Sequence, residues 1–223
     1  MPNKDKQVKS KKRVADHGEV FTSEREVNAM LDLVKQETDR IDSRFLEPAC
    51  GTGNFLIEIL NRKLSVVKKK YQKSQLEYER YAIIVISSIY GVDILQDNID
   101  EARKRLFEIF KNQYTDLYRS SLNDDYLKSV HFILTRNIIC GDALTLKTVG
   151  LIEEPIVFSE WSLILKNKMQ RRDFKMTTLL ENQPVDGLNL FSDLGEEAFI
   201  PIPVRTFPLQ NIYKLAQDVQ TQL

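Results

Sequence analysis

The stretch Phe45-Leu46-Glu47-Pro48-Ala49-Cys50-Gly51-Thr52-Gly53-Asn54-Phe55 decides the fold. Arg44 to Glu47 read as a short strand. Gly51 and Gly53 then permit a tight turn and close approach of a ligand to the backbone, because neither carries a Cβ. From Asn54 onward, Phe55, Leu56, Ile59 and Leu60 recur at helical spacing, so a helix leaves the turn. This order puts the turn at the carboxyl end of a strand, where open α/β sheets bind ligands. Amides at the start of the helix favour an anionic group, here a carboxylate as readily as a phosphate.

Working outward, Thr22 or Ser23 begins a helix with acids in its first turn, and Val27, Met30, Leu31 and Val34 should face a core. Downstream of Leu60 the helical pattern continues, highly charged, to about Arg80. A second strand fits Ser87–Ile94, and an amphipathic helix fits Asn98–Lys111, with Ala102, Leu106, Ile109 and Phe110 as its stripe. A helix or loop near Leu122–Val130 leads to a third strand, Asn137–Cys140, closing on Gly141-Asp142. Strands ending in an acid and separated by helices describe the first half of a doubly wound sheet. Beyond it, Pro155–Leu165 is expected as a helix carrying Trp161, Phe174–Leu180 as strand or helix, and Leu209–Val219 as a terminal helix. Pro201 and Pro203 exclude a central strand at Ile200–Pro203.

Two strand-end acids join the loop. Asp93, in Tyr90-Gly91-Val92-Asp93-Ile94, stands where dinucleotide folds place the acid that accepts ribose hydroxyls. It lies about twice as far downstream as the usual ~20 residues, and the charged stretch Asn61–Arg80 is read as the insertion responsible. Asp142 stands in Cys140-Gly141-Asp142-Ala143-Leu144. Singly, each Asp is an ordinary strand-end cap; in order behind Glu47, the trio favours ligand binding.

The string Glu-Pro-Ala-Cys-Gly-Thr-Gly-Asn-Phe resembles the motif of methyltransferases acting on the N6 amine of DNA adenine, of the type found in type I and type IIG restriction–modification systems. The resemblance implies an α/β, Rossmann-like S-adenosylmethionine-dependent methyltransferase fold with a doubly wound, mainly parallel sheet. It implies that Glu47 meets the cofactor's amino group, that Cys50 to Phe55, with Gly51, Gly53 and Asn54 among them, surround its methionine part, and that Pro48 and Ala49 also belong to the cofactor-binding loop. Asp93 would take the ribose, Asp142 the adenine amino group, and Ile94 with Ala143 or Leu144 the adenine faces. Gly18-Glu19-Val20-Phe21-Thr22 resembles the family's Gly-x-x-Phe-Thr-Pro segment, with Ser23 in place of the proline. Phe21 and Thr22 would then cover the methionine end, although Phe21 reads equally well as a core anchor.

The family's Asp/Asn-Pro-Pro-aromatic segment, which accepts the target amine and stacks on the flipped base, does not occur. Asn182-Gln183-Pro184-Val185 is the nearest string and reads as a turn, and Ser159-Glu160-Trp161 lacks the rigid backbone. The catalytic residue is therefore unassigned. The resemblance spans about Arg13 to Leu146. Its C-terminal half is expected to be incomplete or atypical, and a target-reading domain would need on the order of 100 further residues. The division expected is a basic flexible tail over 1–13, an S-adenosylmethionine-binding domain over 14–150, and a segment over 151–223 that completes or flanks the sheet.

Lys+Arg and Asp+Glu balance at 32 each, so no overall field draws the chain to nucleic acid; only the run Lys4–Arg13 is markedly basic. Cys50 and Cys140, with two histidines, give no metal-ligand pattern. No signal-type or membrane-spanning apolar run is present, which points to a cytoplasmic protein. The expected partners are DNA and another chain of a modification system, which would supply target recognition and catalysis. The alternatives are a non-catalytic S-adenosylmethionine-binding module for assembly or sensing, and a truncated remnant without function.

Overall fold

In the computed structural model, which describes residues 8–181 and 201–217, the chain becomes helical earlier than its basic composition suggests. Ser10 accepts the Arg13 amide and so caps α1 (Lys11–His17), and Gly18 closes it at φ 63°, in the left-handed region. The end of the expected basic tail is thus part of a helix. Ser23 and Glu26 form a reciprocal capping box at the start of α2 (Glu24–Asp32). Val27 and Leu31 are buried, but Met30 and Val34 are 55% and 41% exposed. The expected stripe breaks off because α2 stops at Asp32, before the single turn α3 (Lys35–Thr38).

β1 (Phe45–Glu47) is followed by two helices, α4 (Asn54–Tyr71) and α5 (Gln75–Ser87), before β2 (Ile89–Asp93). The second crossover is built the same way: α6 (Gln96–Tyr118), a 3-10 turn at Arg119–Ser121, and α7 (Asp124–Asn137) lead to β3 (Ile138–Asp142). β1, β2 and β3 pair in parallel in that order, and β4 (Lys147–Thr148) adds antiparallel at the β3 edge. The parallel α/β frame expected from the strand–turn–helix order is therefore present.

The long spacing from the loop to Asp93 is filled by the rest of α4 and by α5, which the charged stretch Asn61–Arg80 enters at Gln75. Tyr78 within that stretch, and Ala82, Ile83 and Ile86 beyond it, are fully buried. These side chains join Leu56, Leu60 and Leu64 of α4, Phe110 and Tyr114 of α6, and Tyr126 of α7 in one core.

After Asp142 the structure departs from expectation. Pro155–Leu165 is not a helix: β5 (Val157–Leu165) hairpins onto β6 (Lys168–Lys175), with α8 (Met176–Glu181) behind it. β7 (Arg205–Thr206) and β8 (Gln210–Asn211) both pair with β6, which makes a second, antiparallel four-stranded sheet. Residues 209–217 form β8 and turns in place of the expected helix, because Gln210 and Asn211 extend to pair with Met169 and Lys168. The segment 201–203 is not a strand, as its two prolines require. The second sheet packs on α5 and α7 through Trp161, Met169 and Leu215. Its start also packs on the parallel sheet, where Phe158 meets the Tyr90 ring edge-on at 5.4 Å and Tyr90 donates to the Ser159 carbonyl. Asn182–Val185 lies outside the described residues.

Lys63, within the charged stretch, is fully buried under β1. Its ammonium donates to the carbonyls of Ile41 and Ser43 and to Ser88 Oγ, and lies 4.9 Å from the centre of the Phe45 ring. Burial pushes its pKa down to about 7. The unfolded chain keeps this proton to about pH 10.4, so stability should rise with pH above 7, by up to about 1.4 kcal/mol per unit. The clean window is roughly pH 7 to 8.5, before unfolded-state thiols ionise and act in the opposite sense. Urea denaturation across that window should lose this slope in Lys63→Met. Equal slopes in the two proteins would assign the effect elsewhere.

Candidate cofactor site

Register and side-chain alternation bring the three sequence-predicted acids to one face of the parallel sheet. Glu47 pairs with Gly91, which pairs with Ile138, and Asp93 pairs with Cys140, two residues short of Asp142. The acids therefore climb from β1 to β3 in steps of two residues, roughly 6–7 Å each. All three lie on the side that faces α4, because Gly91 lies against Leu56 of that helix.

The turn between β1 and α4 is folded around Asp93. The Gly51 amide donates to Asp93 Oδ2 at 2.9 Å, and the Leu95 amide and Asn98 Nδ2 donate to Oδ1 at 2.9 and 3.1 Å. Cys50 N–H bonds the Val92 carbonyl, and Gly53 N–H bonds the Cys50 carbonyl. Gly51 at φ 52° and Gly53 at φ 88° take left-handed conformations that favour glycine. A Cβ on Gly53 would also stand 3.2 Å from that of Ala102, so the loop sits directly on α6.

The Cys50 thiol is buried beneath the turn, where a Cβ on Gly91 would come within 3.1 Å of it. Burial, with Asp93 and Glu47 nearby, pushes its pKa far up. It is a neutral packing group, and only its backbone borders the cleft. Pro48 and Ala49 are exposed at the rim, while Phe55 turns back against the core. Burial raises the pKa of Glu47, against the opposing influence of the Ala49 amide. Asp142 accepts the Leu144 amide on Oδ1. Ile94 and Leu144 are exposed at 41% and 95%, whereas Ala143 packs toward Tyr90 and Ile156.

The segment ahead of α2 does reach the turn. Phe21 lies so close to Gly51 that a Cβ there would be 3.1 Å from its ring, and Asn54 Nδ2 donates to the Thr22 carbonyl at 3.0 Å. Sequence reading missed Arg105, on the outer side of α6. Its guanidinium donates to the Thr52 carbonyl and hydroxyl and to Asn54 Oδ1, at 2.7, 3.1 and 3.0 Å, clamping the turn. Sequence reading also missed Glu19 and Asn98, both nearly buried beside Asp93. A polar residue in the first turn after a strand-end acid was the available signal for Asn98. A cavity of about 1000 Å³ shares Phe21, Thr22, Asn54 and Arg105 with this site but none of the three acids. It opens on the outer side of the turn, so the carboxylates rather than the cavity define the site. Among the described residues, no group of His, Cys, Asp or Glu is placed to hold a metal ion, and no helix is long and apolar enough to cross a membrane.

Residues 9–160, which include the turn, all three acids and the Phe21 segment, match the DNA-methyltransferase domain of MmeI. The chain belongs to that family. Two relatives match much the same share of it. A putative type II restriction enzyme and methyltransferase of Methanocaldococcus jannaschii is 27% identical over 141 residues, which cover 61% of this chain and 11% of that protein. DNA methyltransferase A of Bacillus subtilis is 24% identical over 145 residues, 61% of this chain and 16% of that protein. The matches thus span less than a fifth of either relative. No solved structure matches the chain.

Proposed function

We propose that this chain holds S-adenosylmethionine at the carboxyl edge of β1–β3, as the donor-binding part of a restriction–modification methyltransferase acting on the N6 amine of DNA adenine. The observation that carries the proposal is the stepped trio Glu47, Asp93 and Asp142 around a glycine turn covered by Phe21. The residues fit the cofactor. Half-buried Glu47 gains a counter-charge from the methionine ammonium, which offsets the burial that now raises its pKa. Three of the roughly four acceptor positions of the Asp93 carboxylate are filled by the protein, which leaves about one for the ribose diol. The Asp142 oxygen not bonded to Leu144 can accept the adenine amine. Ile94 and Leu144 present apolar surface to the adenine faces.

The cofactor supplies a methyl group on a positively charged sulfur. The contribution of this chain is orientation: it fixes the donor at both ends so that an incoming amine meets the methyl group in line. The group that accepts the extruded adenine is assigned to another segment or chain, since the Asp/Asn-Pro-Pro-aromatic string is absent from the sequence. DNA as partner is supported by the second sheet. Residues 157–175 and 204–217 carry seven basic side chains against two acidic ones. Both acids are spent internally, Glu160 on Arg44 and Arg172, and Asp173 on Arg171. The same ion pairs remove Glu160 as a catalytic candidate. Basic character is therefore concentrated here as well as at the N-terminus, and phosphate contact is its direct use.

The test is transfer of labelled methyl from S-adenosylmethionine to duplex DNA, by the chain alone and with its modification partner. Cofactor binding with transfer to adenine only in the presence of the partner is the expected result. Label on cytosine would overturn the adenine assignment. Efficient transfer by the chain alone would overturn the need for a partner.

A further inference from the structure

The N-terminal helix reaches the candidate site through a continuous set of polar contacts that the cofactor roles do not use. Arg13 donates to the Asp97 carboxylate with both terminal nitrogens, at 2.5 and 3.1 Å, and to Glu19 Oε1 with Nη2 at 2.9 Å, while its Nε lies 2.6 Å from Glu19 Oε2 as an ion pair without hydrogen-bond geometry. Lys9 adds contacts to Asp97 at 3.0 Å and to Asn98 Oδ1 at 2.6 Å. Asn98, 1% exposed, is the junction: its Oδ1 faces the two cations, and its Nδ2 donates to Glu19 at 2.7 Å and to Asp93 Oδ1 at 3.1 Å. The contacts close a ring. Glu19 lies two residues before Phe21, Phe21 covers Gly51, and the Gly51 amide binds the other oxygen of Asp93.

We propose that Arg13 and Asp97, acting through Asn98 and Glu19, form a clasp that positions Asp93 and the Phe21 segment and thereby sets the affinity of the site for S-adenosylmethionine. The proposal rests on the cofactor reading above. Helix α1 has only seven residues, too few to persist in isolation, so its side-chain contacts must hold it in place. The clasp is half open to solvent: Asp97 is 56% exposed and Arg13 24%, whereas Glu19 is 7% exposed. Salt therefore weakens its outer pair, while the inner Glu19–Asn98–Asp93 contacts are shielded. A single exposed ion pair contributes little. This one also orients a buried amide that has two carboxylates on one side and two cations on the other, so its loss is transmitted to the ligand-facing acid.

The experiment is calorimetric titration of the full chain with S-adenosylmethionine at roughly 50 and 500 mM salt, concentrations that shorten the screening length severalfold. Arg13→Ala and Asp97→Ala should each weaken binding by ~10-fold at low salt, on the scale of a lost charge-assisted contact. The wild type should weaken with salt more than either variant. Arg13→Lys, which keeps the charge beside Asp97 and Glu19, should recover part of the affinity that Arg13→Ala loses. Melting temperatures of the Asp97 variant should stay close to wild type, since its side chain is mostly solvated. Asn98→Ala separates positioning from general packing: it should lose more affinity for the cofactor than for an analogue lacking the ribose hydroxyls. Wild-type affinity and salt dependence in both single variants would overturn the clasp and leave the cofactor reading intact. No binding by the wild type at either salt concentration would overturn the cofactor reading, and the clasp with it.

Discussion

Asp93→Ala is expected to lower S-adenosylmethionine affinity by ~100-fold or more, corresponding to the loss of about two hydrogen bonds to a charged group. On the proposed reading, part of the loss would be direct, since Asp93 would be the acceptor of the ribose diol. The rest would be indirect, because the same carboxylate holds the Gly51 amide and with it the curvature of the turn. The Leu95 amide and Asn98 lose their acceptor as well. Asp93→Asn keeps the shape and one acceptor oxygen but turns an amide NH₂ toward one of its three donors, so a smaller loss, about tenfold, is expected. Calorimetric titration of the three proteins checks both numbers. Affinity within twofold of wild type in Asp93→Ala would remove Asp93 from the site.

The largest effect on stability is expected from Glu79→Ala. This carboxylate, 2% exposed, stands between three helices and the C-terminal turn. Tyr114 donates to it from α6, Tyr213 at 2.6 Å from the turn after β8, and Gln75 at 3.0 Å from its own helix. An alanine would leave a void and two tyrosine hydroxyls without their carboxylate acceptor in a region where Tyr78, Tyr114 and Tyr126 are already fully buried. A cost of about 3–5 kcal/mol follows, lowering the melting temperature by roughly 10 °C for a chain of this size. Limited proteolysis should cut near Tyr213 sooner, because that hydrogen bond anchors the C-terminal turn to α5. Glu79→Gln keeps an acceptor and should cost less. A change below about 1 kcal/mol in Glu79→Ala would show that the tyrosines find other partners.

Both predictions concern carboxylates, and the sequence distinguishes them poorly. Asp93 was legible because it is the one acid in an apolar run that follows a glycine turn and a helix, and strand ends in such sheets face ligands. Glu79 lies in a stretch whose charge density reads as solvated surface. Its tyrosine partners are 35 and 134 residues away, and Gln75, four residues before it, forms an ordinary helix-surface pair with it, so nothing local marks it as buried. Lys63 was hidden in the same way. The misreading of Pro155–Leu165 has another cause. Residues 158–161 of β5 are buried in succession, one side toward Tyr90 and the other toward α5 and α7. Ser159 and Glu160 are polar yet buried, so the apolar–polar alternation that would mark a strand is missing from the sequence.

The glycine turn, the strand-end acids and the alternation of strands with helices were determined by the sequence itself, because each is a local property. Positive φ angles select glycine, and a strand's last residue is fixed by where its apolar run stops. Which of the 64 charged side chains are solvated and which are structural was decided only by the tertiary structure. A lysine or glutamate carries the same letter whether water or a distant tyrosine satisfies it. Burial makes that difference worth several kcal/mol only once α5, the second sheet and the N-terminal helix have come together.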